Sequence, residues 1–317
     1  MTSGYDQALY LLPFDHRHSY VTGMFDFTPP LSAQQRDAVI DSKQLIYEGF
    51  LQALDNGVPS ASAGILVDEE FGADILRDAR RRGFVTALST EQSGTAEFEF
   101  EYGADYARHI EAFDPTFAKV LVRYNPESER ALNHRQRARL KQLSDYCRGS
   151  DRRWMFELLV PATAGQLARS GGESASYDRH IRPLLICEAI RALQNDGIEP
   201  DVWKVEGATR HFDDARVVEA ARSDGRSAVG CIVLGRGAEE AKVRRWLTKA
   251  AGVDGFIGFA IGRTTFWDAV AGYRAQTLTR TAATAQIAGR LQDWVDIFER
   301  ARSAGAPGAD RLAAAAP

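Results

Sequence analysis

The sequence contains few cysteines and no long apolar run. Its three cysteines, Cys147, Cys187 and Cys231, match no zinc or disulfide framework, which is typical of a reducing compartment. No uninterrupted apolar stretch approaches the roughly 20 residues that a transmembrane helix needs. The first residues also lack the basic and apolar segments of a secretory signal. These absences predict a cytoplasmic protein without disulfide bonds.

An excess of positive charge is also missing. The formal net charge is -4 and the pI is about 5.9, which argues against a nucleic-acid or anionic-membrane surface and favours a small-molecule ligand. No Pro/Ser-rich linker divides the chain, so residues 1–303 are predicted to form one domain. The Ala-rich end, residues 304–317, is predicted to be a disordered tail.

Short runs of β-branched and apolar residues alternate with amphipathic segments along the chain. The eight predicted strands are Leu9–Phe14, Gly64–Val67, Phe84–Leu88, Ala118–Val122, Trp154–Leu159, Val202–Val205, Val229–Leu234 and Phe256–Phe259. The predicted helices are Gln34–Leu54, Phe71–Arg82, a weak one near Tyr102–Phe113, Glu129–Arg148, Tyr177–Gln194, Asp213–Arg222, Ala238–Ala250, Thr265–Arg274 and an extra one at about Leu278–Ala301. Eight such pairs predict an α/β fold, a (β/α)8 TIM barrel with an extra C-terminal helix. A doubly wound sheet is the alternative, but no Gly-x-Gly-x-x-Gly follows the first strand.

Charged side chains fall on the inward face of four predicted strands, near one rim of the barrel. These residues are Asp15, Lys119, Arg123, Glu157, Lys204 and Glu206. Because an isolated buried charge costs several kcal/mol, the groups must pair with one another or serve a ligand. One interpretation is a structural network of Lys119–Glu157 and Lys204–Glu206 ion pairs. The other is a catalytic lysine, since burial and the like charge of Lys119 favour a neutral amine on Lys204 that can attack a carbonyl.

Two glycine-containing turns lead from the last predicted strands to helix N-termini. Gly235 and Arg236 follow the seventh strand, and Gly262 and Arg263 follow the eighth. In this type of barrel these loops commonly bind phosphate through backbone N–H groups and the helix dipole. The sequence therefore predicts a phosphate site, in which the two arginines add charge-assisted hydrogen bonds.

The segment after the first strand is dense in polar side chains. Asp15, His16 and His18 suggest a metal, but no third histidine or cysteine pair stands at ligand spacing, so we predict a substrate-contacting loop and no metal. After the third strand, Glu91 to Ser93 are candidates either for further polar contacts or for an ordinary solvated turn.

Five segments together form a recognisable pattern: Phe14–Arg17, Ala118–Leu121, Phe156–Glu157, Asp201–Glu206 and Gly255–Asp268. They resemble the class I, Schiff-base-forming aldolases of the tagatose-bisphosphate and sulfofructose-phosphate type. The sequence is most similar to the domain fused behind the 5-dehydro-2-deoxygluconokinase of inositol catabolism. This resemblance implies a metal-independent lyase with no cofactor. Its substrate would be 2-deoxy-5-keto-D-gluconate 6-phosphate, cleaved to dihydroxyacetone phosphate and malonate semialdehyde.

The resemblance also implies residue roles. Lys204 would form the Schiff base with the C5 ketone, and Glu157 would take the C3 hydroxyl proton, while Lys119 and Asp15 would position the hydroxyls and the iminium. The phosphate ligands would be Gly235, Arg236, Gly262 and Arg263, and the candidates for the distal carboxylate are Arg17 and Arg123.

Three further expectations follow from the same resemblance. The chain would form a homo-oligomer with a functional link to a sugar kinase. Sulfofructose 1-phosphate and tagatose 1,6-bisphosphate remain alternative substrates, although the Asp15–His18 and Arg123–Asn125 segments depart from the sugar-bisphosphate enzymes and suit a carboxylate or sulfonate end. A non-catalytic barrel that binds a sugar phosphate is the alternative from another class of protein.

Overall fold

Eight parallel strands close into a barrel in this computed structural model, which describes residues 4–305. The strands are β1 Leu9–Pro13, β2 Ala63–Val67, β3 Val85–Ser89, β4 Phe117–Arg123, β5 Trp154–Leu159, β6 Val202–Glu206, β7 Gly230–Leu234 and β8 Phe256–Ala260. Each strand pairs with its neighbours in the sequence, and β8 returns to pair with β1. The predicted (β/α)8 TIM barrel is therefore confirmed, and the doubly wound alternative is wrong.

Helices cover the outside of the barrel. They are α1 His18–Phe25, α2 Ala33–Asp55, α3 Glu69–Arg81, α4 Tyr106–Phe113, α5 Arg130–Gly149, α6 Ala164–Arg169, α7 Ser174–His180, α8 Arg182–Asn195, α9 His211–Ala221, α10 Glu240–Ala250, α11 Arg263–Arg274 and α12 Arg280–Gly305. Sequence signals account for several boundaries: for example, Ser32 and Gln35 form a reciprocal capping box at the start of α2.

Two helical predictions need correction. The single helix predicted at Tyr177–Gln194 is two helices, α7 and α8, which meet at Ile181. Pro183 lies in the first turn of α8, where an N–H group would have no partner within the helix. A proline at this position disfavours one continuous helix through α7 and α8. At the C-terminal end, α12 extends through residues 304 and 305, and the rest of the predicted tail, residues 306–317, lies outside the described residues.

Strand alternation separates an inner from an outer apolar layer. The inner layer includes Leu9, Leu11, Met155 and Val202, which are fully buried inside the barrel. The outer layer, packed under the helices, includes Trp203. This division confirms the predicted inward faces of β1, β5 and β6. Further along the inward faces, toward the carboxyl-terminal rim, polar and charged side chains replace the apolar ones.

The extra helix α12 packs outside the barrel against α2. Gly49 of α2 permits the close approach, since a Cβ there would lie 2.6 Å from Ile287. Arg280 at the start of α12 adds ion pairs to Glu48 and Asp41 of α2, at 2.7 and 2.9 Å. Within residues 4–305, none of the helices combines the length and the apolar character that crossing a bilayer requires.

Candidate active site

A cavity of about 380 Å³ opens at the carboxyl-terminal ends of the strands. This is the end of a (β/α)8 barrel that carries the active site in characterised enzymes of this fold. Eight of the residues predicted for the site line the cavity directly: Asp15, Arg17, Arg123, Glu157, Lys204, Arg236, Gly262 and Arg263. The weaker candidates Glu91, Gln92 and Ser93 line it as well. Lys119 lies directly behind this surface, bonded to three of them.

Lys119 is the centre of a buried cluster of charges. Its Nζ lies 2.7 Å from Asp15 Oδ2, 2.7 Å from Glu91 Oε1 and 2.8 Å from Glu157 Oε2. Burial by itself lowers the pKa of Lys119, but the three carboxylates outweigh it and hold the pKa well above its usual value. The predicted Lys119–Glu157 pair is therefore present. Glu91, for which the sequence left a solvated turn equally open, is a third buried partner of this ammonium group.

Lys204 shares one carboxylate oxygen with Lys119. Glu157 and Lys204 are paired neighbours in the register of β5 and β6, and Lys204 Nζ lies 2.9 Å from Glu157 Oε2. Burial tends to raise the pKa of Glu157, but Lys119 and Lys204 together lower it below its usual value. The same balance, dominated by Lys119, lowers the pKa of Asp15. Both carboxyl groups are thus charged at neutral pH, and an amine proton of Lys204 has an acceptor within hydrogen-bond distance.

The predicted Lys204–Glu206 ion pair does not form. Glu206 instead lies 2.7 Å from Arg182 of α8 and 2.5 Å from Arg236 in the loop after β7. Glu206 is the last residue of β6, so its side chain reaches the rim, while Lys204 lies one inward position deeper, beside Glu157. Arg182 is 2% exposed and was missed by sequence reasoning, because an arginine in a helical pattern normally faces solvent.

The predicted phosphate loops meet at one corner of the cavity. Gly262 is the N-cap of α11 and Arg263 its first residue, and a Cβ at Gly262 would collide with the carbonyl of Pro13. Gly237 adopts a left-handed conformation, and a Cβ there would lie 2.8 Å from the Arg263 guanidinium. The glycines thus let both turns approach β1 and each other, and they leave the first N–H groups of α11 at the corner.

Two predicted phosphate ligands have partners within the protein. The Gly235 N–H donates to the Ala260 carbonyl at 3.3 Å, so this amide continues the strand pairing of β7 and β8. Arg236 also has a left-handed backbone, and its guanidinium contacts Glu206 as described. Arg263 donates a long hydrogen bond, 3.4 Å, to the Arg236 carbonyl. Arg263 is therefore the arginine that is more available to an anion.

The opposite wall of the cavity is the β3–α4 loop. Its two arms pair in antiparallel fashion through the bonds Gln92 N–H to Glu99 O, 2.8 Å, and Glu101 N–H to Thr90 O, 2.9 Å. Residues 92–98 line the cavity. Glu97, near the tip, binds Arg135 and Arg139 of α5, and the two arginines lower its pKa to about 2.

The two arginines considered for the distal carboxylate have different environments. Arg17 is buried, with one Nη donating to Glu101 at 2.7 Å and the other to the backbone carbonyl of Glu91. Arg123 is exposed at the cavity wall and makes one hydrogen bond, 3.2 Å, to the Thr95 carbonyl. Arg17 consequently holds the β3–α4 loop in place, and Arg123 is the cation open to a ligand. Among residues 4–305, no group of three or more His, Cys, Asp and Glu side chains is arranged to hold a metal ion.

The fold and the site together define a (β/α)8-barrel protein whose cavity carries paired lysines and carboxylates. The chain belongs to the family described as "Uncharacterized protein conserved in bacteria (DUF2090)", whose model matches residues 3–302. No curated protein matches the sequence.

Three solved structures of similar fold are described as fructose-bisphosphate aldolases. One is an archaeal fructose 1,6-bisphosphate aldolase, with TM-score 0.58, 10% identity and coverage of 92% of this chain and 94% of the other. A second is a Schiff-base-forming fructose-1,6-bisphosphate aldolase, with TM-score 0.56, 10% identity and the same coverages, 92% and 94%. The third is the fructose-bisphosphate aldolase of Slackia heliotrinireducens DSM 20476, with TM-score 0.53, 14% identity and coverages of 89% and 86%. At these identities the likeness is one of fold.

Proposed function

We propose that this protein is a class I aldolase in which Lys204 forms the Schiff base. The observation that carries the proposal is the placement of Lys204 Nζ, 2.9 Å from Glu157 Oε2 and 2% exposed, at the carboxyl end of a barrel strand beside the cavity. Glu157 accepts a proton from Lys204 as the amine adds to a ketone and returns it when water leaves. The occurrence of Schiff-base aldolases on the same fold supports this chemistry.

The electrostatics of the cluster support the formation of an iminium. Lys119 lies between Asp15, Glu91 and Glu157, which hold its pKa well above its usual value, so it stays cationic. The positive charge of an iminium formed on Lys204 is compensated by Glu157, the carboxylate that lies beside Nζ. Asp15, which lines the cavity and is held by Lys119, orients the hydroxyl groups of a bound sugar.

For the substrate we propose 2-deoxy-5-keto-D-gluconate 6-phosphate, cleaved to dihydroxyacetone phosphate and malonate semialdehyde. Arg263 and the first amides of α11 bind the phosphate. Arg123, at the wall formed by the β3–α4 loop, binds the distal carboxylate. A second phosphate or a sulfonate at that end would give the alternative substrates, tagatose 1,6-bisphosphate and sulfofructose 1-phosphate.

The test is covalent trapping. The protein is incubated with dihydroxyacetone phosphate and sodium borohydride, and the adduct is located by intact and peptide mass spectrometry. We expect an adduct on Lys204 that is absent from Lys204→Ala and retained by Lys249→Ala, which removes an exposed lysine of α10. A folded wild-type protein that gives no adduct would refute the aldolase proposal and favour a barrel that only binds a sugar phosphate.

The distal end is tested separately by the condensation reaction. Dihydroxyacetone phosphate is offered with malonate semialdehyde, with glyceraldehyde 3-phosphate or with a sulfonated aldehyde, and product formation is compared. We expect malonate semialdehyde to be preferred, and this preference to be lost in Arg123→Gln. A preference for either of the other aldehydes would overturn the substrate assignment and leave the Schiff-base chemistry intact.

A further inference from the structure

His16 is a cavity residue without an assigned role in the chemistry above. It follows Asp15 in the β1–α1 connection and lines the cavity together with Glu157, Lys204 and Arg263. Its ring packs edge-on against Phe266 of α11, with the ring centroids 6.2 Å apart. The imidazole is thus held between the phosphate corner and the lysine that forms the Schiff base.

The ring nitrogen Nδ1 of His16 is buried, and within residues 4–305 it has no hydrogen-bond partner. Buried polar atoms are nearly always paired in native proteins, so an unpaired one on a residue that lines a cavity indicates a side chain that the protein's own hydrogen bonds do not hold and that is available to a ligand. Burial, reinforced by Arg263 and Lys204, lowers the pKa of His16 to about 4 against the opposing effect of Asp15. At neutral pH the imidazole is therefore uncharged and able to accept a proton.

The carboxylates of the cluster are less suited to act on the hydroxyl group of the substrate. Oε2 of Glu157 is already engaged by Nζ of both Lys119 and Lys204, so this oxygen has partners within the protein. Asp15 is bonded to Lys119 and its pKa is lowered as well. Burial raises the pKa of Glu91 against the opposing effect of Lys119, but this carboxylate is held on Lys119 through Oε1, and its backbone carbonyl accepts a bond from Arg17, which fixes the residue at the β3 edge of the cavity.

We propose that His16 carries the proton between the C3 oxygen and C4 of the substrate, an inference that rests on the Schiff-base chemistry proposed for Lys204. A ring nitrogen of His16 accepts the C3 hydroxyl proton as the C3–C4 bond breaks and C3 becomes an aldehyde. The bonding electron pair moves toward the iminium and leaves an enamine on Lys204. The imidazolium then returns the same proton to C4, which regenerates an iminium that water hydrolyses. The net proton count is zero, as cleavage of an aldol requires.

This assignment separates two events that can be measured independently with dihydroxyacetone phosphate alone. Borohydride trapping reports the iminium on Lys204. Exchange of hydrogen for deuterium at the hydroxymethyl carbon, followed by proton NMR in D2O, reports the transfer between that carbon and the base. We expect His16→Asn to keep the adduct and to slow the exchange by at least about 100-fold, the lower end of what a positioned base contributes. His134→Asn, which changes an exposed histidine of α5, serves as the matched control.

Each outcome decides the inference. Adduct retained with exchange lost in His16→Asn supports it, whereas adduct retained with exchange at the wild-type rate assigns the carbon proton to Glu157 or Glu91 and overturns it. A folded His16→Asn protein that loses the adduct as well would place His16 in Schiff-base formation, which also overturns it. Absence of an adduct from the wild type refutes the aldolase proposal and this inference together. If His16→Asn does not fold, His16→Gln is measured in the same way.

Discussion

Removal of the Lys119 ammonium tests the electrostatic description of the site most directly. In Lys119→Met, Asp15 and Glu91 lose the cation that lies 2.7 Å from each of them, while Glu157 keeps Lys204. Removing one partner of a buried ion pair typically costs about 3–5 kcal/mol, because the remaining charge stays buried without compensation. We expect a loss of this size in the free energy of unfolding at pH 7.

The loss should depend on pH with a defined sign. Without Lys119, burial raises the pKa of Asp15 and Glu91 in the folded state, so the folded variant binds protons that the unfolded chain has released. The variant therefore loses stability relative to wild type as the pH rises above about 4, by up to about 1.4 kcal/mol per pH unit for each group. The deficit should be small near pH 5 and large near pH 8.

Urea unfolding at several pH values, followed by tryptophan fluorescence, measures this difference. Lys43→Met is the matched control, since Lys43 is also a fully buried lysine but pairs with one carboxylate, Asp68. The pH dependence of the unfolding free energy of Lys43→Met should correspond to the uptake of at most one proton. A loss for Lys119→Met that is the same at pH 5 and pH 8, or that is below about 1 kcal/mol, would refute the description of Lys119 as the compensating charge.

Three further predictions concern the phosphate corner and the barrel rim. Arg263→Ala should raise KM for the phosphorylated substrate about 10–100-fold, which corresponds to the loss of one charged hydrogen bond. Borohydride trapping at saturating dihydroxyacetone phosphate should be unchanged. An unchanged KM would contradict the phosphate assignment. Gly262→Ala should lower Tm, because its Cβ would collide with the Pro13 carbonyl. Gly289→Ala in α12, which has open space around it, should instead raise the free energy of unfolding by up to about 1 kcal/mol. Equal shifts in Tm for the two variants would contradict this prediction. Burial, with a contribution from Asp213, raises the pKa of Asp214 from 3.8 to about 7. The protonated carboxyl group therefore contributes to the free energy of unfolding below pH 4, and this contribution is lost as the pH rises toward 7. Asp214→Asn should remove that loss, seen as a stability difference that grows over this pH range in denaturant titrations.

The sequence predicted the fold and the inward charges well for one physical reason. Strands have a fixed two-residue period, so a lysine among alternating apolar residues, such as Lys119 or Lys204, reveals its face without any knowledge of the loops. The pairing of these inward charges was harder to predict. One of the two interpretations paired Glu206 with Lys204, but Glu206 contacts Arg182. Arg182 comes from a helix, and its burial depends on contacts distant in the sequence.

The loops set the limit of prediction. Arg17 was a candidate ligand for a distal carboxylate because a guanidinium can bind one through two hydrogen bonds, yet it binds Glu101 and the Glu91 carbonyl of the β3–α4 loop. That loop has no apolar periodicity in its sequence, and its antiparallel pairing depends on contacts with α5. For the same reason the sequence offered no signal that Glu91 turns toward Lys119.

The wall formed by residues 92–98 and the paired lysines belong to different parts of the chain, and this separation bears on how such a protein diverges. Lys119, Glu157 and Lys204 lie on barrel strands, whereas the wall belongs to a loop whose residue Glu97 binds two arginines of α5. Substitutions or insertions in the wall alter the space beside Arg123 and leave the lysines in place. Under the proposed chemistry, changes in this wall would alter the aldehyde partner and keep the lysine that forms the Schiff base.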